Sequence, residues 1–279
     1  LASLGKEIDF SFLSMRAGYD INQRLIEYSS DSTHARAAVV GILNTLLVAF
    51  FGCVIATVLG LFVGILRLSN NWIVSRLTSI YIEGFRNIPV LLWIVMFFAF
   101  LTEMTPAPRA FKGEDPSASM LFFDSVAITN RGTYFPMPIF GDGSIFVVLV
   151  FSLSLIAVLA YLRYARNLQR QTGKILPRFT VSALLLLAPA VLTYFILGSP
   201  IQLEYPYLKG FNFKDGIHLR NSFLALTLAL GVYTSAYIAE LVRSGIQAIP
   251  KGQTEASSAL GLRPNRVMSL IILPQAVRI

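Results

Sequence analysis

The feature that most limits the fold of this chain is a set of apolar runs, each suited to the interior of a lipid bilayer. The first of them, residues 37–66, carries no charged side chain. A hydrocarbon core about 30 Å thick is crossed by a helix of roughly 20 residues. The sequence therefore predicts an all-α membrane protein, a bundle of about five complete spans and a truncated sixth. The complete spans are expected at 37–66, 89–101, 144–162, 179–197 and 221–242.

Composition supports a membrane protein. Only 14% of the residues are charged and 55% are hydrophobic, whereas a soluble domain averages about a quarter charged residues. The net charge of +8 is typical of nucleic-acid binding too, but the basic residues occupy short loops rather than one face. Lys and Arg kept on the cytoplasmic side of a multi-pass protein produce the same excess. We therefore expect contact with the lipid bilayer and none with nucleic acid.

The basic loop 163–178 indicates how the chain is oriented, because it holds five Lys or Arg residues and no acid. Loops of this kind stay in the cytoplasm. The long loop 103–143, with five acids and three bases, is then expected outside. Because loops alternate between the two sides, residues 67–86 and a coupling loop 243–266 are expected in the cytoplasm. Residues 198–220 and a polar interfacial segment 1–36 are expected outside. The transmembrane domain is expected to comprise residues 37–279.

The segment 233–274 passes from apolar to polar and small, and back to apolar. Pro250 ends the first helix, because proline lacks an N–H and clashes with the preceding turn. A separate helix is predicted over 253–260, with Gly261 as its C-terminal cap and Pro264 at the start of the next helix. Glu255 is expected in its first turn, where the helix dipole favours a negative charge.

This excursion is longer than a returning turn requires, since helix connections usually take two to eight residues. Ala256 and Ala259 share one helix face, shallow enough for another protein to approach closely. The segment is therefore either a docking handle or an interfacial loop that binds nothing. The residues Glu255-Ala256, Gly261 and Leu273-Pro274 resemble the EAA loop of bacterial ABC importer permeases. Residues 236–262 and the E-x-F-R-x-x-P pattern at 83–89 resemble the polar amino-acid branch of that family.

The resemblance implies a type I ABC importer transmembrane fold in the bacterial cytoplasmic (inner) membrane. It implies the permease subunit of an ATP-driven importer of polar or general L-amino acids. The expected partners are a cytoplasmic ABC ATPase, a second permease chain or a copy of this one, and an extracytoplasmic amino-acid-binding protein. Glu255, Ala256, Ala259 and Gly261 are expected to couple to the ATPase. The family also implies a span before residue 1 and further spans after residue 279.

The chain shows no motif of an enzyme. It lacks G-x-x-x-x-G-K-[ST], so if ATP drives transport, a separate subunit must bind it. It also lacks H-E-x-x-H and G-x-S-x-G, and its one cysteine, Cys53, cannot form an internal disulfide or a cysteine-based metal site. We expect no catalytic residue, no metal and no cofactor in this chain.

Polar side chains within the apolar runs mark two stretches of a solute path. Asn44 and Thr45 lie in the first span, and Tyr233, Thr234 and Tyr237 lie in the fifth. Tyr233 and Tyr237 are four residues apart and share a helix face. Their hydroxyls could bind a polar solute, or their rings could fill a gap between helices.

Three residue pairs leave two interpretations open. A glycine pair lets another helix pack closely, either from a second subunit or from this chain. Two acid–base pairs at helix ends are either functional or solvated interfacial contacts. The pairs are Gly60 and Gly64, Glu83 and Arg86, and Glu240 and Arg243.

Two other functions remain as alternatives. An ATP-independent secondary carrier or channel usually places ionisable groups near the bilayer midplane, and these spans offer almost none. A membrane scaffold would only assemble partners. Co-purification with an ATPase separates the importer from both.

Overall fold

The computed structural model of the chain describes residues 10–69, 71–113 and 116–276. It is mainly helical, with short strands in two of its connecting loops. The helices are α1 His34–Leu66, α2 Trp72–Asn87, α3 Val90–Glu103, α4 Ser144–Thr172, α5 Arg178–Ile196, α6 Asn221–Gln247, α7 Lys251–Ala259, α8 Pro264–Val267 and α9 Leu273–Ala276. A π-helical turn, Met268–Ile272, joins α8 to α9.

The multi-span helical fold predicted from the sequence is confirmed. Within the described residues, α1, α4, α5 and α6 are each long and apolar enough to cross a membrane. The predicted second span corresponds to α3, which has only 14 residues and is about 21 Å long. It joins α2 at a bend of 106°, with Pro89 at the α3 N-cap. A bend of this size is found in a broken span and in a re-entrant loop, so the described residues contain four spans, or five if the bent pair is one span.

Two boundaries differ from the prediction. Residues 67–86 were expected between two spans on the cytoplasmic side, and most of them form α2, whose N-terminus is capped by Asn71 Oδ1 accepting from the backbone N–H groups of Ile73 and Val74. The basic residues of the 163–178 loop lie partly on α4, which continues to Thr172 and ends at Gly173 in the left-handed region. The Asn71 cap lies at the start of α2, and Gly173 lies at the end of α4. Both are local features of the helix ends, and the length of an apolar run does not reveal them.

The chain divides into two compact units. The first contains the described residues of 1–107, 129–133 and 219–279. Its centre is α1 packed alongside α6, which buries small residues along one face, among them Ala225, Ala229 and Ala239. A Cβ on Gly60 would lie 2.6 Å from Ile238 Cβ. One on Gly64 would lie 2.8 Å from Ala239 O. The glycine pair therefore serves packing within this chain.

The segment before α1 is folded rather than a plain interfacial loop. Tyr28 is buried in a small cluster with Ala37 and Val40 of α1. Its hydroxyl donates to Tyr19 O at 2.9 Å, and burial raises the pKa of this phenol above its usual value. An isolated antiparallel β-bridge between the backbones of Arg16 and Thr33 closes the segment. Its placement outside the membrane stays a prediction.

The second unit contains the described residues of 108–128 and 134–218. Helices α4 and α5 pack together in it. Short strands fill the loops that the sequence presented as irregular. They are β1 Ala127–Thr129, β2 Gly132–Phe135, β3 Met137–Phe140, β4 Ile201–Glu204, β5 Tyr207–Lys209, β6 Asn212–Lys214 and β7 Ile217–Leu219.

The strands pair locally. β3 and β4 are antiparallel with Met137 opposite Glu204, and β5 and β6 are antiparallel with Tyr207 opposite Lys214. A three-stranded sheet has the order β1–β2–β7. Phe213 is buried with Ala127 and Tyr134. Strands this short carry no readable alternation, so the sequence did not predict them.

Candidate coupling helix and translocation path

The separate helix predicted after Pro250 is present as α7. It has nine residues and is about 13 Å long. It begins at Lys251, two residues earlier than expected, with Pro250 in the N-cap position at φ −57°. Proline suits the start of a helix because its fixed φ is already helical and its missing N–H would have no partner there.

The predicted C-terminal cap of α7 is also present. Gly261 has φ +75°, a left-handed conformation that glycine adopts without a steric penalty. Its N–H donates to Ser258 O at 2.9 Å, and Leu262 N donates to Ser257 O at 3.2 Å. These bonds satisfy carbonyls that the helix end leaves free. The chain then turns, and Pro264 begins α8.

The prediction that Glu255 lies in the first turn is wrong. Because α7 starts at Lys251, Glu255 follows the first turn, which contains no acidic residue. The dipole of the helix therefore contributes little to Glu255. Its side chain is exposed, as are Ala256, Ala259 and Gly261. The four predicted coupling residues thus lie together on an open surface, and their role in coupling stays a prediction.

The α7 excursion is closed at its base by an apolar cluster. Ile249, Val267 and Ile272 are buried there, and Ile246 and Leu262 pack against them. The end of α6, the loop after α7 and the π-helical turn meet in this cluster. The residues that flank α7 on both sides are therefore packed against the end of α6.

An ion-pair network lies near the same end of α6. Glu240 Oε1 lies 3.2 Å from the Arg243 guanidinium, the pairing that the sequence predicted. Its other oxygen, Oε2, lies 2.5 Å from Arg67 Nη1 at the end of α1. The three side chains are largely buried, with 16–29% of each exposed. Sequence reasoning missed Arg67, because no local pattern links positions so distant along the chain.

Two predicted path residues line a cleft between α1 and α6. The cleft measures about 490 Å³ and is lined by Asn44, Thr45 and Gln23, with apolar residues such as Leu230. Asn44 Nδ2 donates to Gln23 O at 2.6 Å. Among the described residues, no hydrogen-bond donor reaches the buried Asn44 Oδ1. The Thr45 hydroxyl donates to Gly41 O. Among the described residues that line this cleft, Asn44 Oδ1 is the buried side-chain acceptor without a partner, and its surroundings are mainly apolar.

The other three path residues lie elsewhere in the first unit. Thr234 lines a smaller cleft of about 240 Å³ with Thr57 and Cys53. The hydroxyls of Tyr233 and Tyr237 form a hydrogen bond with each other, with 2.8 Å between the two oxygens. The structure therefore does not gather the five residues into one site, and their contact with a solute stays a prediction.

Arg86 lies beside the tyrosine pair. Its guanidinium carbon is 5.3 Å from the centroid of the Tyr237 ring. In residues 10–69, 71–113 and 116–276, the salt bridges do not include Arg86 with Glu83. The pairing on which both interpretations rest is therefore not formed between these described residues, because the guanidinium is held over an aromatic face instead.

The described residues contain no group of three or more His, Cys, Asp or Glu side chains placed to hold a metal ion. Cys53 is a free, exposed thiol.

Residues 171–279 match the family model described as "Binding-protein-dependent transport system inner membrane component". The glutamate/glutamine/aspartate/asparagine transport system permease protein BztB of Rhodobacter capsulatus is 48% identical, over 100% of this chain and 70% of its own length. The general L-amino acid transport system permease protein AapQ of Rhizobium johnstonii is 42% identical, over 97% of this chain and 66% of its own.

The putative amino-acid ABC transporter permease protein YhdX of Escherichia coli is 41% identical, over 97% of this chain and 67% of its own length. The chain thus spans about two thirds of these relatives. A solved structure, an amino acid ABC transporter with histidines, is 18% identical with a TM-score of 0.38, and the match covers 85% of this chain and 58% of that one.

Proposed function

We propose that this chain, which belongs to the family of binding-protein-dependent transport system inner membrane components and within it to the amino-acid permeases, is the membrane subunit of an ATP-driven importer of polar or general L-amino acids. It is a multi-pass protein of the bacterial cytoplasmic membrane. The proposed substrate class is supported by the names of its relatives, which include the four acidic and amide amino acids for BztB and L-amino acids in general for AapQ.

The observation that carries the proposal is the exposed, capped helix α7. Pro250 and Gly261 separate it from its neighbours, and the apolar cluster at Ile249 fixes its base. Glu255, Ala256 and Ala259 remain open to a partner. A short rigid helix with small exposed side chains is suited to a groove of another protein, and we propose that this partner is a cytoplasmic ATPase.

Three partners complete the proposed machine. The ATPase supplies the nucleotide site that this sequence lacks. A second permease chain, or a copy of this one, supplies the other half of the path. An extracytoplasmic binding protein delivers the amino acid.

In the proposed mechanism, closure of the ATPase dimer displaces α7. The apolar cluster passes the displacement to α6, and the Arg67–Glu240 pair passes it from α6 to α1. The helices then rock as a rigid body and open the path to the other side of the membrane. A charge-assisted bond from the ATPase to Glu255 would hold α7 during this movement.

The test is uptake of a panel of labelled L-amino acids by proteoliposomes that contain the full-length subunit with its ATPase and binding protein. The proposal expects uptake that requires ATP hydrolysis and co-purification of this subunit with the ATPase. Uptake that continues without ATP, by a subunit that purifies alone, would support the carrier or channel instead. The relatives give that alternative no support.

A further inference from the structure

Arg86 occupies an unusual position for a cation, because its guanidinium lies against α6, a helix long and apolar enough to cross a membrane. The Tyr237 ring, over which the guanidinium is placed, is about 15 Å from the end of α6 at Gln247. Tyr81, five residues before Arg86 on α2, forms a hydrogen bond with Ser235 of α6, with 2.7 Å between the two hydroxyl oxygens. Ionisable side chains at such positions are costly and usually have a specific task.

The Arg86 guanidinium keeps its hydrogen-bonding capacity. Across the described residues, no hydrogen bond or ion pair to Arg86 accompanies the contact with the Tyr237 ring. Its side chain is exposed. A guanidinium presents five N–H donors in a planar fork, which matches a carboxylate in a two-bond arrangement. One face is held by the aromatic ring, and the edge that carries the donors is open.

The tyrosine pair adds a further donor. The hydroxyls of Tyr233 and Tyr237 are 2.8 Å apart, so one of them donates to the other. The second hydroxyl hydrogen is then available to a ligand, because each hydroxyl carries one donor. The Phe85 and Trp93 rings stack at 4.1 Å on either side of the bend between α2 and α3 and give the corner that carries Arg86 a rigid support.

We infer that Arg86, Tyr233 and Tyr237 form a receptor for the α-carboxylate of the transported amino acid. This inference rests on the proposed function. The receptor binds the α-carboxylate, which all amino acids share, and does not contact the side chain of the substrate. Such a site accepts substrates that differ in their side chains. It also gives an anionic group a partner inside the membrane, where an unpaired carboxylate would be costly.

The test measures ligand binding to the full-length transporter complex with its ATPase, in nanodiscs of phosphatidylcholine. The binding protein is left out, because it would select the carboxylate itself. The probes are labelled L-glutamine and L-glutaminamide, in which an amide replaces the α-carboxylate. Wild type is expected to bind glutamine at least about tenfold more tightly than the amide, the ratio of a charge-assisted bond to a neutral one.

Arg86→Gln is expected to weaken glutamine binding by about tenfold or more and to abolish the preference over the amide. Arg86→Lys should keep part of the preference, since it keeps the charge but loses the fork. Tyr233→Phe with Tyr237→Phe should weaken binding by a smaller factor while the rings remain. The matched control is Arg76→Gln, an exposed arginine on the same helix, which should bind as wild type does. Co-purification with the ATPase confirms that each variant is folded.

Wild-type affinity in Arg86→Gln, or no glutamine binding by the wild-type complex, would overturn the inference. The inference would also be overturned if Arg86→Gln bound glutamine as wild type does and differed only in no longer responding to added phosphatidylglycerol. The site would then hold a lipid phosphate. In each case, ATP-driven uptake by wild type would leave the proposed function standing. Loss of that uptake would remove the proposed function itself.

Discussion

Arg67 at the end of α1 donates to Glu240 of α6, with 2.5 Å between Nη1 and Oε2. The same carboxylate binds Arg243 through its other oxygen. Two arginines thus share one acid at the end of the α1–α6 pair, close to the point where α6 leads into α7. This carboxylate connects α6, which leads into α7, with α1 packed beside it.

Glu240→Gln is expected to loosen that connection. The amide keeps the shape of the side chain but leaves two largely buried arginines without a counter-charge, at a cost of about 1–3 kcal/mol. We expect thermal unfolding of the purified complex at a lower temperature, and uptake that falls more steeply than basal ATP hydrolysis. Glu83→Gln, on the exposed surface of α2, is the control. Equal stability and uptake in the two variants would show that the ion pair has no mechanical role.

The difference between what the sequence predicted and what it missed follows from distance along the chain. The spans and the α7 caps depend on neighbouring residues: apolar runs, Pro250 and Gly261. The Arg67–Glu240 pair joins residues 173 positions apart, and no local pattern reveals it. The sequence therefore presented Glu240 as a partner of Arg243 alone.

The two interpretations of the glycine pair illustrate the same limit. Gly60 and Gly64 predict a close helix contact, but their spacing says nothing about which helix is the partner. The structure identifies α6, through Ile238 and Ala239. The path residues show the same limit. The sequence grouped polar side chains of two spans, but Asn44 lines the cleft between α1 and α6, whereas Tyr233 forms a hydrogen bond with Tyr237.

Gly60→Ala is expected to destabilise the subunit. A Cβ there would lie 2.6 Å from Ile238 Cβ and 3.0 Å from Ser235 O, so α1 and α6 must move apart. Overpacking of this kind costs about 1–3 kcal/mol. The measurement is the fraction of subunit that remains monodisperse after heating in detergent. Gly41→Ala on the same helix meets nothing within 4 Å and should be as stable as wild type. If both variants behave alike, the close contact of α1 with α6 is not limiting for stability.

Gly261→Leu is expected to disrupt docking of the ATPase while the spans stay folded. Nothing lies within 4 Å of a Cβ at this position, so the effect comes from the left-handed backbone, which costs about 1–2 kcal/mol for a residue with a side chain. This backbone strain is located at the end of α7, and its relief changes the orientation of α7 toward the ATPase. The measurements are retention of the ATPase during purification and ATP-driven uptake.

Gly173→Leu is the matched control, because Gly173 caps α4 at φ +71° and also meets nothing within 4 Å. It carries the same backbone strain away from α7. Normal ATPase retention in Gly261→Leu would contradict the docking role. Loss of the ATPase in both variants would attribute the effect to general misfolding.

The orientation of α7 is the premise on which its role as a coupling helix depends. Lys251 is the first residue of α7 and is exposed. Lys209 is an exposed residue at the end of β5, in the loop predicted to lie outside. With Cys53 replaced by Ser, a membrane-impermeant maleimide applied to intact spheroplasts should label Lys209→Cys and spare Lys251→Cys. Applied to inverted vesicles, it should label Lys251→Cys and spare Lys209→Cys. Labelling of Lys251→Cys from the outer face would place α7 on the side where no ATP is available, and an ATPase could not dock there.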